Sequence, residues 1–315
     1  MAAESLRYLE MTTDLPYNHR MPIRKLFLTA TLLLASFTLH AQSPITTDPA
    51  PDKANPAAMQ SFQLPSHGAL LNALVYIASG PGPHPTVILL HGFPGNEKNL
   101  DLAQSIRRAG WDVLYFNYRG SWGSPGDFSF THCIEDVQSA IVYLRDPANA
   151  KKLRVDSTHI VLIGHSMGGF MTIQGGANDP AIKAIATISA ADFNAGRLQS
   201  LPADQHDAVV KNIATHLADE GMAPLAGTTP ESLANEIIVN AAKFNFANLA
   251  PKLATRNILV LTSDDGLAPS NDAFVEALRK TGNQHVNEIH MATDHSYSDH
   301  RIALQQAILD FLKQN

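Results

Sequence analysis

The hydrophobic and polar positions change their period repeatedly along the chain. Short apolar runs rich in Val, Ile and Leu predict strands, and they alternate with segments whose apolar residues recur every three or four positions, as on one face of a helix. Because this alternation is typical of buried parallel strands with helical crossovers, it predicts an α/β fold with helices on both faces of a mostly parallel sheet. The predicted strands are 69–77, 86–90, 113–117, 160–163, 182–188, 258–262 and 286–291.

One region breaks this alternation. After Ile188 no strand pattern occurs until Ile258, whereas two helical patterns follow one another, at 209–217 and from Pro230 onward. The sequence therefore predicts a small helical cap over about 191–256, inserted into the alternating domain. Ordinary crossover helices are the alternative interpretation.

The chain from Met21 onward has a pattern typical of a secretory signal. Arg24 and Lys25 precede an apolar run over 26–39, and Ala41 follows at a suitable cleavage position. A run of this length is too short to span a bilayer comfortably, since about 20 apolar residues are needed. The pattern predicts a periplasmic or secreted protein with no stable membrane association after cleavage. An uncleaved membrane anchor is the alternative.

Three segments follow from these patterns. Residues 1–41 are predicted to be an N-terminal extension and signal peptide, with Met21 as an alternative start of translation. Residues 42–60, rich in Pro, Ala, Asp and Thr, predict a flexible linker. Residues 61–315 predict one α/β domain that contains the cap.

Composition narrows the classes of partner. The 315 residues carry a formal net charge of -6 and are 45% hydrophobic, which is typical of a globular protein. The chain has no stripe of Lys or Arg, so a nucleic-acid partner is not expected. Cys133 is the single cysteine, which excludes an intramolecular disulfide and a cysteine-based metal cluster, and it is predicted as a small buried residue on a helix. No metal or cofactor is expected.

A glycine-flanked serine carries the strongest chemical signal. The apolar run 160–163 predicts a strand, the sequence GHSMG at 164–168 a sharp turn, and the small residues after it a helix. A nucleophile elbow of the G-x-S-x-G type needs this strand, turn and helix, and its glycines leave room for the tight turn. The pattern predicts Ser166 as a nucleophile. An ordinary glycine-rich turn is the alternative.

The predicted nucleophile needs an acid that orients its base, because a serine hydroxyl is a weak nucleophile at neutral pH. The strand over 258–262 ends in Ser263-Asp264-Asp265, at the carboxyl edge of the sheet where open α/β sheets place their sites. We favour Asp265 because it lies one short loop before the helix that opens at Pro269. Asp264 is the alternative acid.

The chain contains 14 histidines, so only the position of a histidine relative to the predicted strands and helices can identify the base. His295 follows the last predicted strand, in the loop before the last helix, and from there it can approach Ser166 above the sheet. His300 lies at the predicted start of the last helix and is the rival, whereas His290 lies within the strand. We therefore predict His295 as the base.

A pair of backbone N–H donors is predicted for the oxyanion that develops during the reaction. The strand over 86–90 leads into the sequence HGFPG at 91–95, where Gly92 lets the backbone turn closely and the Phe93 amide point into the site. The second donor is the Met167 amide, at a helix N-terminus that favours negative charge. A structural Gly/Pro loop is the alternative for 91–95.

These residues together resemble the α/β-hydrolase superfamily. The order nucleophile, acid, histidine with a His-Gly loop upstream matches that superfamily over about 61–315. The resemblance implies an eight-stranded, mostly parallel sheet, a Ser166-Asp265-His295 triad and an acyl-enzyme route. The sequence NYRGSWG at 117–123 resembles a segment of dienelactone-hydrolase-like and prolyl-oligopeptidase-like members, although the chain has His91 and Met167 where those peptidases often have aromatic residues. We expect Arg119 in this segment to form a structural salt bridge or loop hydrogen bond.

The sequence predicts a serine hydrolase that acts on carboxylic esters of small or medium size, with a small-molecule substrate as its partner. Phe93, Met167 and the cap, with Phe244 and Phe246, are candidates for an apolar acyl pocket, and a place for these last two in the core of the cap is the alternative. An aminopeptidase or amidase of the prolyl-oligopeptidase-like type is a second hypothesis. A non-catalytic protein that binds an apolar ligand is a third.

Overall fold

The computed structural model describes residues 43–193 and 195–315, so the predicted N-terminal extension and signal peptide at 1–41 lie outside the described residues. Pro44–Asn315 forms one unit built on a single sheet of eight strands. The strands are β1 Ala58–Ser66, β2 Ala69–Ile77, β3 His84–Leu90, β4 Asp112–Phe116, β5 Val155–His165, β6 Ala184–Ile188, β7 Asn257–Ser263 and β8 Val286–Met291.

The sheet is mostly parallel, as predicted. Its strands follow the order β1-β2-β4-β3-β5-β6-β7-β8. The β1–β2 and β2–β4 pairs are antiparallel, and the five remaining pairs are parallel. Successive side chains of the central strands belong to different core clusters, because alternate residues of a strand point to opposite faces. On β3, Ile88 and Leu90 enter one cluster and Val87 and Leu89 the other.

Helices cover both faces, which confirms the predicted architecture. Leu102 and Ile106 of the first helix and Leu304 and Ile308 of the last join the cluster on one face, and the other helices that cover the sheet contribute to the opposite cluster. The helices outside the region between β6 and β7 are α1 Leu100–Arg108, α2 Phe130–Arg145, α3 Pro147–Leu153, α4 Met167–Asn178, α10 Ala268–Lys280 and α11 Arg301–Leu312.

The region between β6 and β7 is helical, and no strand is found in its described residues. It contains α5 Ala195–Leu198, α6 His206–Asp219, α7 Pro230–Val239, α8 Ala241–Phe244 and α9 Phe246–Leu249, with 3₁₀ turns at Ala203–Gln205 and Ala250–Leu253. The start of α7 carries a capping box, in which the Thr229 hydroxyl accepts from the Ser232 N–H and the Ser232 hydroxyl accepts from the Thr229 N–H. This explains why the Thr-Pro sequence there marks a helix start.

Outside the region between β6 and β7, two regular elements were not predicted from the sequence. The strand β1 falls partly in the segment assigned to a linker, because its residues alternate between polar and apolar at an exposed sheet edge rather than forming an apolar run. The short helix α3 begins with Asp146 accepting N–H bonds at its start and Pro147 in its first turn. No helix among residues 43–193 and 195–315 is long and apolar enough to cross a membrane.

Candidate active site

Ser166 occupies the sharp turn between β5 and α4. Its backbone has φ 58° and ψ -121°, a conformation that L-residues rarely adopt and that costs roughly 1–3 kcal/mol. The Ser166 N–H donates to the Ile188 carbonyl at 2.9 Å, and the Ser166 carbonyl accepts from the Ala191 N–H at 3.0 Å. The strained turn is therefore fixed to the end of the neighbouring strand β6.

The glycines on either side of Ser166 are required by close packing. A Cβ on Gly164 would lie 2.0 Å from the Gly168 carbonyl oxygen in α4, and a Cβ on Gly168 would lie 2.0 Å from the Leu90 carbonyl oxygen at the end of β3. Real Cβ atoms do not approach backbone atoms this closely, so any larger residue would push the helix away from the sheet. The sequence interpretation of these glycines is confirmed.

Asp265 and His295 meet at the carboxyl edge of β7 and β8. His295 Nδ1 lies 2.7 Å from Asp265 Oδ2, and because a carboxylate only accepts, the Nδ1–H is the donor. The Asp265 side chain is 4% exposed and that of His295 is 40% exposed. This bond turns the other ring nitrogen, Nε2, away from Asp265 and leaves it to act toward a substrate or nucleophile.

Hydrogen bonds hold Asp265 in its charged form. Burial acts to raise its pKa, but donation from His295, from the Leu267 N–H at 2.9 Å and from the hydroxyls of Ser189 and Ser263 outweighs burial and brings the pKa well below its ordinary value. The carboxylate therefore stays ionised across the neutral range, where it can stabilise a positive charge on His295.

The buried hydroxyls of Ser189 and Ser263 donate to Asp265, and the Tyr297 hydroxyl joins them; sequence reasoning found none of the three. Ser189 Oγ lies 3.0 Å from Ser263 Oγ and 3.1 Å from Tyr297 Oη. Ser189 and Tyr297 both have positive φ, at 46° and 55°, so their backbones are strained. Ser189 directly follows β6, Ser263 ends β7 and Tyr297 lies in the His295 loop. Only the folded sheet brings the three residues together.

His165 fixes the loop that carries His295. Its Nε2 lies 2.8 Å from the His295 carbonyl oxygen, and the two imidazole rings are 4.6 Å apart. Burial is the main cause that lowers the pKa of His165 to about 4, with the nearby His295 adding to it. The His165 ring is therefore neutral at neutral pH and donates its Nε2–H to the carbonyl. In the sequence, His165 is only a variable position of the GHSMG turn.

The rival residues take up separate positions. Asp264 pairs with His290, whose Nε2 lies 3.0 Å from its Oδ1, and the Asp264 side chain is 65% exposed. His290 Nδ1 also contacts the Thr262 hydroxyl at 3.0 Å, across the β7–β8 pair. His300 occupies the N-cap position of α11 without a side-chain cap bond, and its Nδ1 bonds to Asp299. None of the side chains of Asp264, His290, His300 and Asp299 lines the cavity that contains Ser166.

The predicted amide donors lie beside Ser166. Met167 is the first residue of α4, so its N–H is one of the four that have no partner within the helix. The loop after β3 passes directly against the serine, because a Cβ on Gly92 would lie 3.0 Å from Ser166 Cβ. Phe93 and Met167 both line the cavity that contains Ser166.

One cavity of about 1100 Å³ joins these groups. Its floor is formed by the turn and loops at the carboxyl edge of the sheet, and its wall includes Ile213 and Leu217 of α6 and Ile237 of α7. Ser166, Asp265 and His295 all belong to its lining, so the structure brings the three predicted residues into one site. Among the described residues, no three His, Cys, Asp or Glu side chains are placed to hold a metal ion.

Other residues considered from the sequence contribute to the fold and do not line the cavity. Phe244 of α8 and Phe246 of α9 are buried against Phe170 and do not line the cavity, so they belong to the hydrophobic core and not to an acyl pocket. Arg119 forms ion pairs with Asp136, at 2.7 Å, and with Glu135. The expectation of a structural salt bridge at Arg119 is confirmed.

The chain is similar to a known family. The family model described as alpha/beta hydrolase fold matches residues 85–280. No curated protein sequence matches.

Solved structures show the same fold. An esterase from Pyrobaculum calidifontis superposes with a TM-score of 0.61 at 18% identity, covering 93% of this chain and 92% of that one. A thermostable carboxyl esterase from Bacillus coagulans gives 0.59 at 17% identity, with 82% and 98% covered. An acylaminoacyl peptidase from Pyrococcus horikoshii gives 0.57 at 18% identity, with 83% of this chain but 42% of that one covered.

Proposed function

Since the chain belongs to the α/β hydrolase fold family, we propose that it is a serine hydrolase that cleaves carboxylic esters through an acyl-enzyme intermediate. The observation that carries the proposal is the 2.7 Å bond between His295 Nδ1 and Asp265 Oδ2 in the wall of the cavity that contains Ser166. A base oriented by a buried carboxylate beside a strained serine is the arrangement that activates a hydroxyl.

The proposed reaction has two halves. In the first, Ser166 Oγ attacks the ester carbonyl carbon while His295 Nε2 takes the hydroxyl proton. The Phe93 and Met167 amides donate to the oxyanion, and one such donor is typically worth on the order of 10²- to 10³-fold in rate. The tetrahedral intermediate then collapses, the bond to the alcohol oxygen breaks, and His295 delivers its proton to that oxygen. The alcohol leaves and the acyl group stays on Ser166.

In the second half, a water molecule replaces the alcohol. His295 takes a proton from the water as its oxygen attacks the acyl carbon, and the proton then passes to Ser166 Oγ as the acyl bond breaks. The products are a carboxylic acid and the free serine. Asp265, which stays ionised, orients His295 and stabilises its positive charge in both halves.

Covalent labelling tests the nucleophile. We expect a fluorophosphonate probe to label the folded protein at Ser166, and Ser166→Ala to lose both labelling and hydrolysis of p-nitrophenyl butyrate. Ser298→Ala is the matched control, because it removes an exposed serine hydroxyl from the loop of His295. Labelling elsewhere, or a folded protein that does not label, contradicts the proposal and favours a ligand-binding protein.

A peptidase or amidase is the second candidate, favoured by the similarity to the acylaminoacyl peptidase fold. The same triad would attack an amide, so the two candidates differ only in substrate. We expect kcat/KM for p-nitrophenyl butyrate to exceed that for alanine p-nitroanilide by at least a hundredfold. A preference for the anilide would reverse the assignment.

We also propose that the chain is exported and cleaved after Ala41. The pattern of Arg24 and Lys25, the apolar run over 26–39 and Ala41 supports this. Arg108 donates to the carbonyls of Pro44 and Ile45, and Ile45 packs against the core, so the folded unit begins after the proposed cleavage site. Removal of residues 1–41 leaves these contacts in place. N-terminal sequencing of the protein from the periplasm or medium is expected to begin at Gln42, and a chain retained in the membrane fraction with an intact N-terminus contradicts export.

A further inference from the structure

The fixed charges in the described lining of the cavity that contains Ser166 are all negative. Besides Asp265, its lining includes three carboxylate side chains: Glu97, Asp192 and Glu220. Among the described residues that line it, none is a lysine or an arginine. Carboxylates therefore outnumber fixed cations in the lining of this cavity.

The three carboxylates come from separate parts of the chain. Glu97 follows the loop of Phe93, is half-buried and accepts the Asn99 N–H at 2.6 Å. Asp192 is half-buried in the loop after β6, one residue beyond the amide that binds the Ser166 carbonyl. Glu220 follows α6 and is exposed at the cavity wall. Because three distant segments contribute one each, the negative charge is distributed around the cavity rather than confined to one loop.

The imidazole of His165 adds an independent feature. Its Nε2 donates to the His295 carbonyl, so its Nδ1 is an unprotonated acceptor, and this buried atom has no hydrogen-bond partner among the described residues. His165 lines the cavity and is 4% exposed. A partial negative charge therefore lies on a residue of the cavity lining.

Aromatic rings complete this environment. Phe93 and Phe193 both line the cavity, and the Phe193 ring is held by Phe130 at 4.5 Å and Phe170 at 4.9 Å between centroids. The faces of aromatic rings attract cations, and rings combined with carboxylates are the groups that recognise alkylammonium ions. The cavity therefore offers both apolar contact and negative charge.

We propose that the preferred esters of this site carry a positively charged alkylammonium group. The proposal rests on the esterase function proposed above and specifies its substrate class. Carboxylates and aromatic rings both attract such a group. The same cavity disfavours esters with a second, anionic carboxylate, since no lysine or arginine among the described lining residues would pair with it.

Isosteric esters test this inference, since a trimethylammonium group and a tert-butyl group have nearly the same shape. One pair varies the alcohol: choline butyrate against 3,3-dimethylbutyl butyrate. The other varies the acyl group: the ethyl ester of 4-(trimethylammonio)butyrate against that of 5,5-dimethylhexanoate, with monoethyl glutarate as the anionic member. Each kcat/KM is divided by the rate constant for hydroxide hydrolysis of the same ester, which removes intrinsic reactivity.

We expect the cationic ester to exceed its neutral isostere by about tenfold in at least one pair, and the anionic ester to fall below the neutral one by a similar factor. Ratios of threefold or less in both pairs overturn the inference. The pair that shows the preference identifies whether the acyl or the alcohol part carries the charge.

Single neutralising variants locate the effect. We expect Glu97→Gln, Asp192→Asn or Glu220→Gln to lower the cation-to-neutral ratio at least threefold. Asp219→Asn is the matched control, because Asp219 is an exposed neighbour of Glu220 on α6 that does not line the cavity, and its loss changes the net charge equally. A ratio unchanged in all three cavity variants, or lowered equally by Asp219→Asn, assigns the preference to the overall charge of the protein and overturns the inference.

Binding separates this inference from the esterase function. Calorimetric titration of Ser166→Ala with choline butyrate and its neutral isostere measures affinity without turnover. Absence of hydrolysis in the wild type with tighter binding of the cation disproves the esterase and keeps the charge preference. Hydrolysis of neutral esters with equal binding of both isosteres leaves the esterase and disproves the preference.

Discussion

His295 is the member of the proposed triad with rivals nearby, and its assignment depends on contacts that the sequence could not show. Of the histidines that line the cavity with Ser166, it is the one that bonds to a buried carboxylate. His290 and His300 bond to the exposed carboxylates of Asp264 and Asp299 instead. Pairing with a buried, ionised partner is what orients an imidazole for proton transfer.

Replacement of His295 therefore removes the proposed base. We expect His295→Ala to lower kcat/KM for p-nitrophenyl butyrate on the order of 10⁴- to 10⁶-fold, as in other enzymes with a serine triad. His290→Ala and His300→Ala are the matched controls and are expected to stay within tenfold of the wild type. A large loss in His300→Ala together with retained activity in His295→Ala would transfer the role of base to His300.

The parts of the site that could be predicted are those with a local sequence signal. Ser166 stands in a glycine-flanked turn, Asp265 follows an apolar strand and His295 follows the last predicted strand, so pattern and position identify them. Ser189, Ser263 and Tyr297 have no such signal, because ordinary residues become supports of Asp265 only when β6, β7 and the His295 loop converge.

The strands of the sheet also divide into those with a clear local sequence signal and those without one. The central strands form continuous apolar runs because both of their faces are buried, and their bounds were predicted to within a few residues, apart from the longer amino end of β5. The edge strand β1 was missed because its exposed, alternating residues resemble a linker, and it is defined by its register with β2. β1 contains polar residues because it lies at the exposed edge of the sheet and not in its core.

The close contact between α4 and β3 gives a prediction about the element that positions Ser166. Gly168→Ala places a Cβ 2.0 Å from the Leu90 carbonyl, and we expect a loss of about 3 kcal/mol in the free energy of unfolding together with loss of esterase activity. Gly176→Ala on the same helix is the control, since its Cβ would meet the Ile185 side chain at 3.0 Å, and the change should stay within about 1 kcal/mol. Urea titration measures both, and equal effects of the two variants would contradict the packing argument.

The Arg119 ion pair connects the loop after β4 with α2, and it gives a second prediction about an element. Asp136 is fully buried, so Arg119→Ala leaves an unpaired buried charge and is expected to cost about 3–5 kcal/mol in the free energy of unfolding. Arg145→Ala breaks the more exposed pair with Asp179 and should cost at most about 1 kcal/mol. Because Arg119 does not line the cavity, kcat should be unchanged under conditions where the variant is folded. A large fall in kcat without a fall in stability would instead assign Arg119 to the substrate.

Asp112 is a buried titratable group at the other end of the sheet from the proposed triad. The proposed triad lies at the carboxyl edge of the parallel strands, whereas Asp112 begins β4 at the opposite end. Asp112 is fully buried, accepts the Ala78 N–H at 2.8 Å through Oδ1, and its Oδ2 has no hydrogen-bond partner among the described residues. Burial raises the pKa of Asp112 to about 7, although the bond from Ala78 and the charge of Arg154 oppose it. Stability and activity can therefore depend on pH through different residues.

The sign of this dependence follows from proton binding. An unfolded aspartate has a pKa of about 3.9, so between roughly pH 4 and 7 the folded state holds a proton that the unfolded state has lost. The free energy of unfolding therefore falls as pH rises through this range, by at most about 1.4 kcal/mol per pH unit from this one group, and the contribution is gone above pH 7.

We expect Asp112→Asn, which cannot ionise, to gain stability relative to the wild type as pH rises from 5 to 7 in urea titrations. Asp310→Asn is the control, since hydrogen bonds from Lys313 and Gln306 lower the pKa of Asp310, so this carboxylate is ionised in both states from pH 5 to 7 and its replacement should give a constant stability difference. A stability difference between Asp112→Asn and the wild type that is constant over this range would mean that Asp112 is ionised in the folded protein.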